Sequence, residues 1–280
     1  MLRRPGRRRA VVGLTAGVLG ISATVLGLTS SSSPTFSGPP TIPASTDAAR
    51  WFKAAHLTDV VHEPPSVTFG EIGDVPLVGD WDSDRSEEPA IYRPSTRTFV
   101  FGKSHRPADV RVTAMEVGDW PLAGDWDADG RTDLGFYRPE TAVFTLLTSD
   151  GSAIVDEIVF GDPGMQPVVG DWDGNGTDDL AVFRASDRVL IRRSAAGRTL
   201  PEMPAGRPGD IVVIGDWDDD PADEVGTFRP DETSFVFSPD RGPDPAPVFF
   251  GDATQEPLPV MGDWDGDGDD TQAVVQNTSR

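Results

Sequence analysis

The chain has 280 residues and no cysteine, with 24 Lys plus Arg against 46 Asp plus Glu for a formal charge of −22. That length can bury a core without covalent staples, the missing thiols exclude a disulfide scaffold, and the acidic balance argues against a nucleic-acid partner, because nothing in it could neutralise a row of phosphates. A content of 30 Gly and 26 Pro points to a turn-dense, helix-poor architecture.

The N-terminus is an addressing segment rather than part of the fold. Arg3, Arg4, Arg7, Arg8 and Arg9 precede an uncharged run over 10–28, a basic n-region followed by an apolar h-region. Residues 1–28 therefore read as an export signal, in which Arg8-Arg9 loosely resembles a twin-arginine pair. The run approaches the ~20 residues that span a bilayer, and no clean A-x-A site follows it, so a cleaved signal peptide and an uncleaved signal anchor both stay open. In either case the chain is expected to be secreted or held at the cell surface, touching a membrane only through such an anchor. Residues 29–48, rich in Ser, Thr and Pro, read as a linker. Residues 49–66 form an N-terminal segment with two readings, a strand over 50–53 or an amphipathic helix over 46–56.

Residues 67–280 are organised by repetition. Gly-Asp-Trp-Asp occurs at 79–82, 124–127, 170–173, 215–218 and 262–265, at spacings of 45, 46, 45 and 47 residues. Twelve residues after the first Asp of each copy stand Tyr92, Tyr137, Phe183, Phe228 and Val275, followed by Arg93, Arg138, Arg184, Arg229 and, in the last copy, Gln276. Each unit reads as four short strands: an apolar run ending at the motif, a β-prone run such as 134–137, an alternating run such as 98–101, and a run such as 157–161. Four strands per period of this length is the mark of a β-propeller. The expected fold is all-β, with five four-stranded blades. The last unit ends after its second strand, whereas 67–70 supplies a fourth-type strand ahead of the first motif, so N-terminal residues are expected to complete the last blade and close a monomeric ring.

The chemistry lies in the loop that begins inside the motif. Counting from its first Asp, copy two places Asp125, Asp127, Asp129, Arg131 and Asp133 at positions one, three, five, seven and nine, with Gly130 at position six. A hard Ca²⁺ ion needs six to eight oxygens, and alternate carboxylates plus the carbonyl of position seven can wrap one, as in the first nine positions of an EF-hand loop. Copy three offers Asp171, Asp173, Asn175, Thr177 and Asp179; copy one offers Asp80, Asp82, Asp84, Ser86 and Glu88. Copy four offers Asp216, Asp218, Asp220, Ala222 and Glu224, but Pro221 at position six opposes a left-handed turn, so distortion is expected there. Copy five offers Asp263, Asp265, Asp267 and Asp269, with Thr271 at position nine and Asp270 one place early. The loops at 125–133 and 171–179 keep both the Gly and the ninth carboxylate and make the best Ca²⁺ candidates. The Trp at position two is expected to point away and pack, and the Arg after the aromatic residue to pair between blades.

Units such as 169–183 resemble the FG-GAP and VCBS-type repeats of bacterial surface proteins and are similar to the blades of the integrin α-chain propeller. The resemblance implies Ca²⁺ in the loops between first and second strands, and an extracellular protein or glycan as partner. The expected function is thus an exported, calcium-binding adhesion or binding module. Two alternatives stay open: a Ca²⁺-dependent polysaccharide lyase or hydrolase, and a structural spacer without a ligand. Against an enzyme, His56, His62 and His105 are the only histidines, and neither a G-x-S-x-G motif nor a Gly-rich phosphate loop is present.

Overall fold

A computed structural model describes residues 39–42, 49–54, 66–102, 109–217, 221–237 and 247–277. In chain order the strands are β1 (Ala49–Lys53) and β2 (Ser66–Thr68), then β3 (Val75–Gly79), β4 (Glu88–Arg93), β5 (Thr98–Phe101) and β6 (Val110–Arg111). They continue with β7 (Trp120–Gly124), β8 (Asp133–Arg138), β9 (Val143–Leu147) and β10 (Ile154–Val159), then β11 (Gln166–Gly170), β12 (Asp179–Arg184), β13 (Val189–Arg193) and β14 (Met203–Pro204). The last are β15 (Ile211–Gly215), β16 (Glu224–Arg229), β17 (Ser234–Phe237), β18 (Val248–Phe249), β19 (Leu258–Gly262) and β20 (Thr271–Asn277).

They form five four-stranded antiparallel sheets. Four are ordered β3-β4-β5-β6, β7-β8-β9-β10, β11-β12-β13-β14 and β15-β16-β17-β18, and the fifth is β19-β20-β1-β2. The innermost strands are neighbours in the cycle β3, β7, β11, β15, β19 and back to β3, which makes the molecule a five-bladed β-propeller. N-terminal residues close the last blade: Trp51 stands opposite Val275 on one side and Val67 on the other, so β1 is the third strand, and the helical alternative is excluded over 49–53.

Sequence explains the layering. The innermost strands are near-continuous apolar runs because they are buried on both faces. Pro76, Pro121, Pro167 and Pro259 are tolerated in them because each inner strand pairs on one side only. Second and third strands pair aromatic residues across the blade, Tyr92 with Phe99, Tyr137 with Phe144 and Phe228 with Phe235, their ring centres 5.1, 4.5 and 4.8 Å apart. Four core clusters each join neighbouring blades. A lone sheet has no partner for its second face, and only the closed ring supplies one to every blade.

Candidate metal centres in the hairpins

Each hairpin begins where a Gly ends the inner strand and pairs with position nine of the return strand, as in Gly79 opposite Glu88, Gly124 opposite Asp133 and Gly170 opposite Asp179. This register brings positions one and nine to the same end of the blade. The Asp at position one then organises the loop backbone. Asp125 accepts from the amides of Asp129 (3.2 Å) and Gly130 (2.7 Å), Asp171 from Asn175 (3.0 Å) and Gly176 (2.7 Å), and Asp80 from Asp84 (3.1 Å) and Arg85 (3.0 Å). Asp263 does the same for Gly266, Asp267 and Gly268.

The expected left-handed turn at position six is present at Gly130, Gly176 and Gly268, with φ of 80°, 88° and 104°. Arg85 holds the same conformation at φ 84°, although its Cβ opposes it. A second left-handed residue, unforeseen from sequence, stands at position four: Ser83, Ala128, Gly174 and Gly266, at 66°, 60°, 69° and 75°.

Three acidic side chains converge in each of four hairpins, with one ligand atom of each within 4.8 Å of the others: Asp80, Asp82 and Glu88; Asp125, Asp127 and Asp133; Asp171, Asp173 and Asp179; Asp263, Asp265 and Asp267. Several of these groups are buried, and burial is the first cause of their raised pKa values. Asp133 and Asp179 are pushed up to about 7, and Asp125 and Asp263 to about 6. Glu88 rises to about 8, burial being followed by repulsion from Asp82, Asp84 and Asp80. A cation among such groups would remove both penalties. The donors fit one: every side-chain donor in the four groups is a carboxylate oxygen, and Glu88 Oε2 is buried without a hydrogen-bond partner.

Position five plays a backbone role. Asp84, Asp129, Asn175 and Asp267 each accept from the amide at position seven, namely Ser86, Arg131, Thr177 and Asp269, at 2.8, 2.8, 2.8 and 3.1 Å. The compact acidic set is one, three and nine in the first three copies, and one, three and five in copy five, whose Thr271 instead donates its hydroxyl to the Ala54 carbonyl (3.1 Å). In copy three Asn175 Nδ2 donates to Asp173, while Asp179 accepts from Trp172 and Ala195. In copy four Asp218 and Asp220 lie outside the described residues; Asp216 is buried, Ala222 follows Pro221 in the loop, and Glu224 accepts from the Trp217 amide (3.1 Å). Copy one faces Lys53, whose pKa burial lowers with only partial opposition from Glu88, and whose ammonium stands 4.8 Å from the Trp264 ring centre.

Position eight was missed in the sequence. Its backbone amide donates to the carbonyl of position one in the preceding blade at Thr132, Asp178, Asp223, Asp270 and Glu87. Four of these side chains also accept the position-one amide: Asp178 from Asp125 (2.6 Å), Asp223 from Asp171 (2.6 Å), Asp270 from Asp216 (3.1 Å) and Glu87 from Asp263 (3.2 Å). Asp270 is thus a clamp between blades rather than a displaced ligand. The signal was available, since position eight carries a side-chain oxygen in all five copies.

The Trp at position two packs away from the loop as expected, with Trp81, Trp126 and Trp172 buried. The indole N–H of Trp81 donates to Glu88 O (2.9 Å) and that of Trp126 to Leu134 O (2.8 Å). The repeated Arg corrects the expectation of a link between blades. Arg93 forks onto Asp74 and Arg138 onto Asp119, each within its own blade, while Arg184 turns to Asp187 because Met165 occupies the corresponding place in copy three.

No family model matches the chain, and neither does any curated protein. Two similar solved structures are a catalytically inactive variant of virginiamycin B lyase from Staphylococcus aureus with quinupristin, and BBS1N in complex with ARL6DN, soaked with lead. The first is 10% identical with a TM-score of 0.43, covering 99% of this chain and 98% of that one. The second is 8% identical with a TM-score of 0.36, covering 79% and 84%. The likeness to FG-GAP and VCBS repeats accordingly rests on the hairpin residues themselves. His56, His62 and His105 lie outside the described residues, as does the run 10–28. Among the described residues no helix is long and apolar enough to cross a membrane.

Proposed function

We propose that the chain is an exported propeller whose hairpins bind Ca²⁺ and whose hairpin face recognises an extracellular protein or glycan. The observation that carries this reading is the recurrence of a three-acid cluster in four hairpins, built from positions one, three and nine in three of them. Acidic turns are common, but one spacing repeated with an all-carboxylate side-chain set suits a hard cation, and the FG-GAP-like motif points the same way. Loops two and three are the strongest sites, because Lys53 supplies part of the compensation in copy one and copy five lacks an acid at position nine.

The way the chain enters the ring supports the choice of face. Ile42 is buried, accepts from the Gly73 amide (3.0 Å) and donates to Asp74 O (2.8 Å). Pro39 and Pro40 lie beside Val75, Pro76, Trp120 and Pro121, where inner strands begin. The acidic hairpins stand where those strands end, so an N-terminal tether would leave them facing outward.

The test is a thermal melt of the chain from residue 39 onward, with Ca²⁺ and with excess chelator, alongside a glycan array and an assay on acidic polysaccharides under both conditions. Ca²⁺ bound to the folded state alone adds stability by mass action, so chelation should lower Tm reversibly and abolish array binding. Equal melting in both conditions would refute the calcium reading, and chelator-sensitive depolymerisation would favour the enzyme.

A further inference from the structure

The face opposite the hairpins carries a groove that the calcium reading leaves unused. It lies between the beginnings of three neighbouring inner strands, with Val75 and Pro76 from β3, Trp120 and Pro121 from β7, and Pro167 from β11 on its walls. A Ser/Thr/Pro-rich linker is expected to be a loose stalk, yet part of this one is docked in the groove. Pro39 and Pro40 line the same cavity, and Pro40 is buried. Ile42, two residues on, is 2% exposed within the core cluster that also holds Trp51 and Val75. Its amide donates to Asp74 O and its carbonyl accepts from Gly73, which pins this strap to the turn ahead of β3.

The fit is incomplete at one atom. Trp120 is 4% exposed, yet its indole N–H has no acceptor. Trp51, Trp81, Trp126 and Trp264 each donate to a main-chain carbonyl, so a satisfied indole is the ordinary outcome in this ring. Trp172 and Trp217 lack an acceptor too, as position-two residues of the motif. Trp120 differs in standing in a groove that a stretch of chain already enters. A buried donor left unpaired costs about 1–3 kcal/mol, and an indole can only donate.

The walls select the chemistry of an occupant. Prolyl rings and an indole offer flat apolar surface and a donor, but little to receive a main-chain amide. A proline-rich stretch matches that surface, because it carries carbonyl acceptors, has few amides of its own to bury, and is already extended, so docking costs it little entropy.

We propose that this groove is a recognition site for a proline-rich extended segment of a partner protein, with Trp120 Nε1 donating to a carbonyl of that segment, and that Pro39–Ile42 hold the site as an intramolecular competitor. Binding in trans requires the strap to leave, so the apparent affinity is the intrinsic one reduced by the fraction of molecules whose groove is open. The site stands at the other end of the strands from the acidic hairpins and needs no ion.

Fluorescein-labelled decaproline, an uncharged probe, tests the site by fluorescence anisotropy on the full chain. Ile42→Ser removes the buried anchor of the strap and should bind decaproline about tenfold more tightly than the native chain does, or better. Adding Trp120→Phe to that variant should weaken binding about threefold to tenfold, the worth of one hydrogen bond. In heteronuclear NMR spectra the Trp120 indole resonance, assigned by its loss in the Trp120→Phe variant, should move downfield on binding, whereas that of Trp126, already bonded, should stay. An Ile42→Ser variant that ignores decaproline, or binds it no better than the native chain, overturns the proposal, as does a Trp120 resonance that does not move. A chain that sediments as a dimer and is split by decaproline also overturns it, because the occupant is then the linker of a second copy. Should Trp120→Phe not fold, the comparison of Ile42→Ser with the native chain decides by itself.

Discussion

Two kinds of glycine show how far single residues could be read. The Gly that opens each motif ends an inner strand, and the repeat alone does not show what crowds it. A Cβ on Gly170 would lie 2.8 Å from Ile214 Cγ2, 2.9 Å from the Trp172 ring and 3.0 Å from Asp223 Oδ2 of the next blade. Gly170→Ala should therefore destabilise by about 1–3 kcal/mol, the usual cost of overpacking, as read by denaturant melts; an unchanged midpoint would mean the junction can open. Arg85 is the opposite case, a side chain where the backbone favours glycine. Removing it relieves about 1–2 kcal/mol of left-handed strain and forfeits about 0.5–1 kcal/mol of backbone entropy, so Arg85→Gly should stabilise by up to about 1.5 kcal/mol. Position four escaped sequence reading because Ser83 and Ala128 are ordinary residues held at positive φ by the Asp-centred loop.

The hairpin is the element in which sequence and structure agree most closely, and its chemistry gives two tests. Spacing alone placed the acids of positions one, three and nine together in three hairpins; it did not reveal that the position-five side chain also accepts the amide of position seven, because spacing does not show which oxygens the loop's own amides engage. If each cluster is an independent site, Asp127→Ala and Asp173→Ala should each lower Ca²⁺ stoichiometry by one in calorimetric titration, with the other sites unaltered. The pH dependence follows from burial. Carboxyl groups raised to between about 6 and about 8 bind protons more tightly folded than unfolded. Their stabilising contribution is complete below the unfolded value near 4 and is lost as pH rises through the raised one. Ion-free protein should thus melt at a lower temperature at pH 8 than at pH 5, and Ca²⁺ should shrink or reverse the difference. Ion-free melting that is flat or rises with pH would contradict the buried clusters.

At the scale of the molecule, periodicity disclosed five units, and the incomplete last unit disclosed how they close. Where strands begin was less legible: 50–53 carries the same alternation as a short helix face, and only its pairing with β20 and β2 decides. A chain lacking residues 1–54 would lose the third strand of the last blade and the buried Trp51. It should show no cooperative melt, whereas a chain beginning at residue 39 should melt like the whole protein.

That closure also sets a timetable. Trp51 finds its partner Val275 only after more than 220 intervening residues have been made, so a ribosome still gripping β20 keeps the whole assembly waiting. Earlier sheets can collect side by side in the meantime, with apolar end faces bare. Strand β20 therefore acts as the clasp, and any nascent chain stalled before it is an open bracelet that a chaperone must guard or a protease will find.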